Sequence, residues 1–72
     1  MTERQQRDQA IGTRLRLLRG DRTQQLVADA LDISVMVLSQ YERGVRRPSD
    51  ETKIKMARYY GVGVSDIFFP DA

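Results

Sequence analysis

The chain has 72 residues, which is enough for one small domain, and its apolar content of 40% and charged content of 31% are typical of a folded chain. It contains neither cysteine nor histidine, so disulfides, thiolate metal sites and histidine general bases are excluded. The net charge of +2 is too small to indicate a nucleic-acid partner by itself, and no stretch approaches the roughly 18 consecutive apolar residues of a membrane span.

The N-terminal region predicts a short arm followed by a first helix. Residues 1–7 are polar and lack an apolar pattern, so we expect a flexible arm there. Ile11, Leu15 and Leu18 then recur at helical spacing, which predicts a helix that ends at about Arg19. Because the polar start also lacks the apolar run of a secretory signal, we expect a cytoplasmic protein.

Two shorter helices are predicted next, over about 24–31 and 35–43. Thr23 and Ser34 stand where an N-cap hydroxyl would satisfy a free backbone amide of each helix, and Gly44 is a suitable left-handed stop. The side chains expected to face the core are Leu26, Val27, Ala30 and Leu31 in the first of these helices, and Leu38 and Tyr41 in the second.

A fourth helix and a short fifth one complete the predicted fold. Ser49 caps a helix that runs to about Tyr60, and Ser65 is the expected cap of the last helix. One of Phe68 and Phe69 is expected to be exposed, which makes the C-terminal end a candidate dimer surface. The side chains of the fourth helix expected to face inward are Ile54, Met56 and Ala57. No segment alternates with a period of two, so the predicted class is all-α, with five helices and no sheet.

The connection between the second and third helices points to a function. It spans only about three residues, 32–34, and so short a turn forces a steep angle between the helices. One helix can then lie across a DNA backbone while the next enters the major groove, which is ~12 Å wide. Residues 1–22 carry six arginines against three acidic residues, and residues 33–48 carry three against one. These two segments would form one basic face if they meet in the fold.

A longer motif covers the end of the third helix and the following loop: LSQYERG over 38–44, and then RRPS over 46–49. Weaker matching pieces occur in order along the chain: Ile11-Gly12, Leu15-Arg16, Leu18-Arg19, Thr23-Gln24, Val27-Ala28, Tyr60-Gly61-Val62 and Asp66-Ile67-Phe68. Together they resemble the phage Cro and repressor-like family, also called the XRE family. The resemblance implies a compact, lambda-repressor-like five-helix bundle that binds double-stranded DNA. It also implies a single helix-turn-helix domain over 1–72, with its core over 8–69.

The resemblance implies specific roles for side chains around the third helix. Those expected to face base edges are Val35, Met36, Ser39 and Gln40. Those expected to contact phosphate are Thr23, Gln24, Ser34, Arg43, Arg46 and Arg47. Arg19 and Glu42 match a family pair that forms an internal salt bridge, which links the first helix to the end of the third.

One departure from the family pattern bears on DNA reading. Val35 and Met36 are apolar where polar readers are common, and apolar side chains can contact a thymine methyl but cannot form bidentate hydrogen bonds to guanine or adenine. Gln40 is therefore the best candidate for a direct hydrogen bond to a base. Since Leu38 and Tyr41 supply the inward face, at least one of Val35 and Met36 should be exposed, for DNA or for a protein partner.

These features predict a sequence-specific transcriptional regulator, with repressor action, that binds as a homodimer to two half-sites roughly 34 Å apart. The alternative is a protein-interaction module on the same fold, of antitoxin or antirepressor type, which the apolar start of the third helix would suit. An enzyme is not expected, because there is no nucleophile–base arrangement and no glycine-rich phosphate loop. We expect no cofactor, metal, small-molecule ligand or membrane contact.

Overall fold

The computed structural model describes residues 2–69, and over that range the chain forms five α-helices and no strand. In chain order they are α1 (Glu3–Arg19), α2 (Gln24–Leu31), α3 (Val35–Glu42), α4 (Asp50–Tyr60) and α5 (Val64–Phe68). The predicted all-α class with five helices is confirmed. The Cα radius of gyration, 11.2 Å, is that of a compact chain of this length.

The first helix begins earlier than the apolar pattern predicts. Thr2 and Gln5 cap it reciprocally: the Thr2 hydroxyl accepts from the Gln5 backbone N–H at 3.2 Å, and the Gln5 side-chain oxygen accepts from the Thr2 backbone N–H at 2.9 Å. The expected arm over 1–7 is therefore wrong for residues 3–7, which are helical, while Met1 lies outside the described residues. Apolar periodicity misses this turn because polar capping alone begins it.

Hydroxyl caps begin the three middle helices, as predicted. Each side-chain oxygen accepts from the backbone N–H three residues on, at 3.1, 3.1 and 3.3 Å for Thr23, Ser34 and Ser49. The predicted cap at Ser65 is wrong, because α5 begins directly after Gly63. The Asp66 carboxylate accepts from the Gly63 backbone N–H at 2.8 Å, and this backward contact fixes the start of the helix.

The core takes side chains from all five helices. The buried apolar residues are Leu15, Val27, Ala28, Leu31, Leu38, Tyr41, Met56, Ala57, Ile67 and Phe68. Ile11 and Leu18, also predicted to face inward, are partly buried against this core. Three predicted core residues are wrong: Leu26 is 53% exposed, Ile54 is 46% exposed and Ala30 is also exposed. The buried stripes of α2 and α4 are therefore narrower than their apolar patterns predict.

Two glycines allow α1 to cross the end of α3 at backbone contact. A Cβ atom added to Gly12 would lie 2.4 Å from the Glu42 carbonyl oxygen, and one added to Gly44 would lie 2.7 Å from the Asp8 carbonyl oxygen. Gly44 also has a φ of 73°, the left-handed conformation predicted for the stop after α3. This close crossing holds the C-terminal end of α3 against α1.

Candidate nucleic-acid interface

A packed three-residue turn, 32–34, joins α2 to α3. Asp32 is left-handed, with φ 58° and ψ 46°, a conformation that aspartate tolerates better than most non-glycine residues. The Ile33 backbone N–H donates to the Ala28 carbonyl at 3.0 Å, and the Ile33 side chain packs against the core. Ser34 then caps α3. The two helices and this turn form a helix-turn-helix unit.

The outward face of α3 carries the four side chains predicted to reach base edges. Met36 is 69% exposed and Val35 is 38% exposed, while the side chains predicted to face inward are buried. The prediction that at least one of these two apolar residues is exposed is therefore confirmed. Ser39 and Gln40 are half-buried and lie on the same face, one helical turn further along.

Arg19, Glu42 and Gln24 form a polar network behind this face and join α1, α2 and α3. Arg19 Nε lies 2.8 Å from Glu42 Oε2, and Gln24 Nε2 donates to Glu42 Oε1 at 3.0 Å. Glu42 is only 1% exposed, so both of its carboxylate oxygens are satisfied inside the fold. The hydrogen bond to Glu42, with a further contribution from its negative charge, raises the pKa of Arg19 above its ordinary value.

Tyr60 lies beside this network. Its hydroxyl is buried and has no hydrogen-bond partner among residues 2–69. Burial raises the pKa of Tyr60 to about 12, and the negative charge of Glu42 adds to the rise. The Arg22 guanidinium stacks over two rings, 5.4 Å from the centroid of Tyr59 and 5.6 Å from that of Tyr60. Sequence reasoning missed this cluster, because Arg22 lies far from the tyrosine pair in the chain and no motif links them.

The three polar side chains assigned to phosphate at the starts of α2 and α3 all have partners within the fold. The hydroxyl oxygens of Thr23 and Ser34 act as caps, and the Gln24 amide donates to Glu42. A hydroxyl that accepts a capping bond still has its own hydrogen to donate. These side chains therefore combine a structural role with a remaining capacity for phosphate.

The three arginines at the end of α3 differ in their surroundings. Arg43 is exposed, and its side chain has no hydrogen-bond or ion-pair partner within the described part of the chain. Arg46 Nη1 donates to Gln40 Oε1 at 3.3 Å. Arg47 Nε pairs with Asp8 Oδ1 at 2.8 Å, although 44% of the Arg47 side chain is exposed. The last contact ties the loop to α1.

The arginines on the outer side of α1 contact the chain itself. Arg14 Nη1 donates to the Asp66 carbonyl, which links α1 to α5, and Arg16 Nη2 donates to the Thr13 hydroxyl at 3.1 Å. The two basic segments do meet in the fold, because α1 packs on α3. Two ion pairs, Arg19–Glu42 and Arg47–Asp8, join the two segments.

A helix-turn-helix unit with an outward second helix and arginines at its end can dock on double-stranded DNA, and it defines a DNA-binding transcription regulator. The helix-turn-helix family model matches residues 14–67, and the chain belongs to this family, of the XRE type. The resemblance seen in the motifs is thus confirmed. No curated protein and no solved structure matches the chain. Over residues 2–69, no helix has the length and apolar character needed to cross a membrane.

Proposed function

We propose that this chain is a sequence-specific repressor that binds DNA as a homodimer and reads the major groove with α3. The outward face of α3 carries the proposal. Four candidate reading side chains lie together there, and arginines follow the helix at one end: Val35, Met36, Ser39 and Gln40, then Arg43, Arg46 and Arg47. The opposite side of α3 is held by the core, so the exposed face is presented as a rigid surface.

Two kinds of base contact are available on this face. Met36 and Val35, 69% and 38% exposed, suit the methyl group of thymine, which an apolar side chain can recognise. Ser39 and Gln40 can form hydrogen bonds to base edges, through the Ser39 hydroxyl and the Gln40 side-chain amide. Each half-site should therefore contain a thymine near the start of α3. It should also contain a base pair whose major-groove edge forms a hydrogen bond with Gln40.

Phosphate contacts would fix the position of α3 in the groove. Arg43 and Arg46 stand near its C-terminal end, where each neutralised phosphate releases counterions. Thr23, Gln24 and Ser34 contribute at the starts of α2 and α3 through the hydrogens that their internal contacts leave over. Arg47 can also reach phosphate, provided that it exchanges its contact with Asp8 for one with DNA.

A homodimer follows from the small size of the reading element. The eight residues of α3 can contact only a few base pairs, so useful discrimination needs two copies, with half-sites roughly 34 Å apart. Phe69 is the dimer contact that we assign, because it is 54% exposed while Phe68 is buried, the division predicted for this pair. Repression then needs occupancy alone, since a bound dimer excludes polymerase from the same DNA.

Selection from a random pool of DNA duplexes at about 0.15 M salt tests this proposal. We expect enrichment of a two-fold symmetric site, with an affinity that falls steeply as salt rises. An enriched site without symmetry would contradict the homodimer, and a pool without enrichment would contradict sequence-specific reading. A reporter gene whose promoter overlaps the selected site then tests repression. We expect the protein to reduce transcription of this reporter.

A second candidate function is a protein-interaction module of antitoxin or antirepressor type. The exposure of Met36 favours it, because an apolar side chain on the surface of a small domain also suits a protein partner. Salt dependence separates the two functions. Contacts to phosphate weaken steeply with salt, whereas an apolar protein contact does not.

A further inference from the structure

Arg46 contacts the side chain that is the best candidate for a hydrogen bond to a base. Its Nη1 atom donates to Gln40 Oε1 at 3.3 Å. A guanidinium group can only donate hydrogen bonds, so the Gln40 amide atom that faces it must be the oxygen. The amide nitrogen, with its two hydrogens, is therefore turned away from Arg46.

We propose that Arg46 is a positioning residue for base recognition, and that it orients the Gln40 amide so that the chain selects guanine over adenine at the contacted base pair. This inference deepens the proposed function and rests on it. In the major groove guanine presents two acceptors, O6 and N7, whereas adenine presents one acceptor and one amino donor. The amide nitrogen of Gln40 can donate to both guanine atoms but to only one adenine atom.

A glutamine that turns freely would favour adenine instead, because its oxygen can accept from adenine N6 while its nitrogen donates to N7. Gln40 Oε1 does keep a second lone pair. An adenine amino group placed there would lie next to the Arg46 guanidinium, so that two positively polarised donors would face each other. Guanine O6 has the opposite polarity and is attracted by the same charge.

A neighbouring arginine provides a matched comparison. Arg43 carries the same charge near the same end of α3, yet its side chain contacts neither Gln40 nor any other polar partner over residues 2–69. Arg46 has further N–H groups that can donate to a phosphate while Nη1 holds Gln40. Arg46 should therefore contribute to both affinity and base choice, and Arg43 to affinity alone.

The test compares the wild type with Gln40→Ala, Arg46→Ala and Arg43→Ala on duplexes that differ at one base pair. The contacted base pair is identified with Gln40→Ala: it is the position in the selected site at which this variant no longer discriminates between bases. There we expect the wild type to bind guanine roughly tenfold more tightly than adenine. Arg46→Ala should reduce this ratio to about twofold or less. Arg43→Ala should preserve the ratio, although both arginine variants weaken binding to every duplex.

Thermal melting checks that the variants are folded, and lower salt brings weak binders into the measurable range. A wild-type preference for adenine, or an unchanged ratio in Arg46→Ala, would overturn the inference while leaving DNA binding intact. The inference is also overturned if Gln40→Ala loses discrimination at no position, or if Arg43→Ala alters the ratio as much as Arg46→Ala. If the wild type shows no sequence-dependent, salt-sensitive binding, the proposed function fails, and this inference fails with it.

Discussion

Gly12 of α1 lies directly against the backbone carbonyl of Glu42 at the end of α3, and a Cβ atom on Gly12 would fall 2.4 Å from that oxygen. The next nearest atoms, the Glu42 carbonyl carbon at 2.8 Å and the Gly44 nitrogen at 3.0 Å, also belong to the backbone. No side-chain rotation can therefore relieve such a contact. The spacing between α1 and α3 depends on the absence of a side chain at this position.

Gly12→Ala is expected to destabilise the fold, although the same change in an ordinary helix would stabilise it by up to ~1 kcal/mol. Forcing α1 away from α3 should lower the free energy of unfolding by about 1–3 kcal/mol, measured by urea denaturation. Gln6→Ala, at an exposed position of α1, is the control and should change it by less than about 0.5 kcal/mol. An equal or higher stability of Gly12→Ala would show that the two helices can move apart at no cost.

Arg19→Ala is expected to be strongly destabilising. The Glu42 carboxylate, which is only 1% exposed, would keep its hydrogen bond from the Gln24 amide but would have no positively charged partner. Breaking a buried ion pair in this way costs about 3–5 kcal/mol. Arg16→Ala, an exposed arginine of the same helix, should cost less than about 1 kcal/mol. Adding Glu42→Gln to Arg19→Ala should recover part of the loss, since it removes the buried charge. Equal denaturation midpoints for the two arginine variants would contradict this account.

Helix boundaries were predictable where a hydroxyl cap and an apolar stripe coincide, as at Thr23 and Ser34. They were not predictable at the start of α1, where a polar capping box acts without an apolar stripe. The outward face of α3 follows from its inward residues, so that part of the candidate site could be deduced. The partners of the arginines in this site could not be predicted. Arg46 contacts Gln40, 6 positions away in the sequence, and Arg47 contacts Asp8, 39 positions away, and these pairings depend on the tertiary structure.

Tyr60→Phe is expected to stabilise the protein. The Tyr60 hydroxyl is buried without a hydrogen-bond partner in the described part of the chain, so its removal relieves a desolvation cost. The free energy of unfolding should rise by about 1 kcal/mol, from chemical denaturation near neutral pH. Tyr59→Phe, whose ring centroid lies 5.1 Å from that of Tyr60, is the control and should have a smaller effect. A lower stability of Tyr60→Phe would mean that the hydroxyl binds an ordered water.

Tyr60 also predicts a loss of stability at alkaline pH. Burial raises its pKa from 10.0 to about 12 in the folded chain. The unfolded chain releases this proton near pH 10, whereas the folded chain retains it to about pH 12. Ionisation of Tyr60 therefore has no effect on the free energy of unfolding well below pH 10 and lowers it as the pH rises from 10 to about 12. The Tyr60→Phe variant should lose less stability than the wild type across this range. Parallel plots of the free energy of unfolding against pH for the two proteins would contradict this prediction.

Phe69→Ser is expected to convert the proposed homodimer into a monomer, because it removes an apolar side chain that is 54% exposed next to α5. Sedimentation equilibrium without DNA measures the change in mass. Leu17→Ser removes a side chain of α1 that is 76% exposed and should leave the dimer intact. If Leu17→Ser dissociates the dimer and Phe69→Ser does not, the interface lies on α1 instead. A wild type that is monomeric both in solution and on DNA would rule out the dimer itself.

Asp8→Asn is expected to strengthen DNA binding through Arg47. Asp8 Oδ1 lies 2.8 Å from Arg47 Nε, and the partly exposed Arg47 side chain could turn to a phosphate once that attraction is weakened. Affinity should then rise for all duplexes alike, and the slope of log affinity against log salt should steepen by about one unit. Asp29→Asn, which removes the same charge from the exposed side of α2, controls for net charge. If Asp8→Asn leaves the slope at the wild-type value, Arg47 serves only to tie the loop to α1. In that case Arg47→Ala should reduce stability without altering the salt dependence of DNA binding.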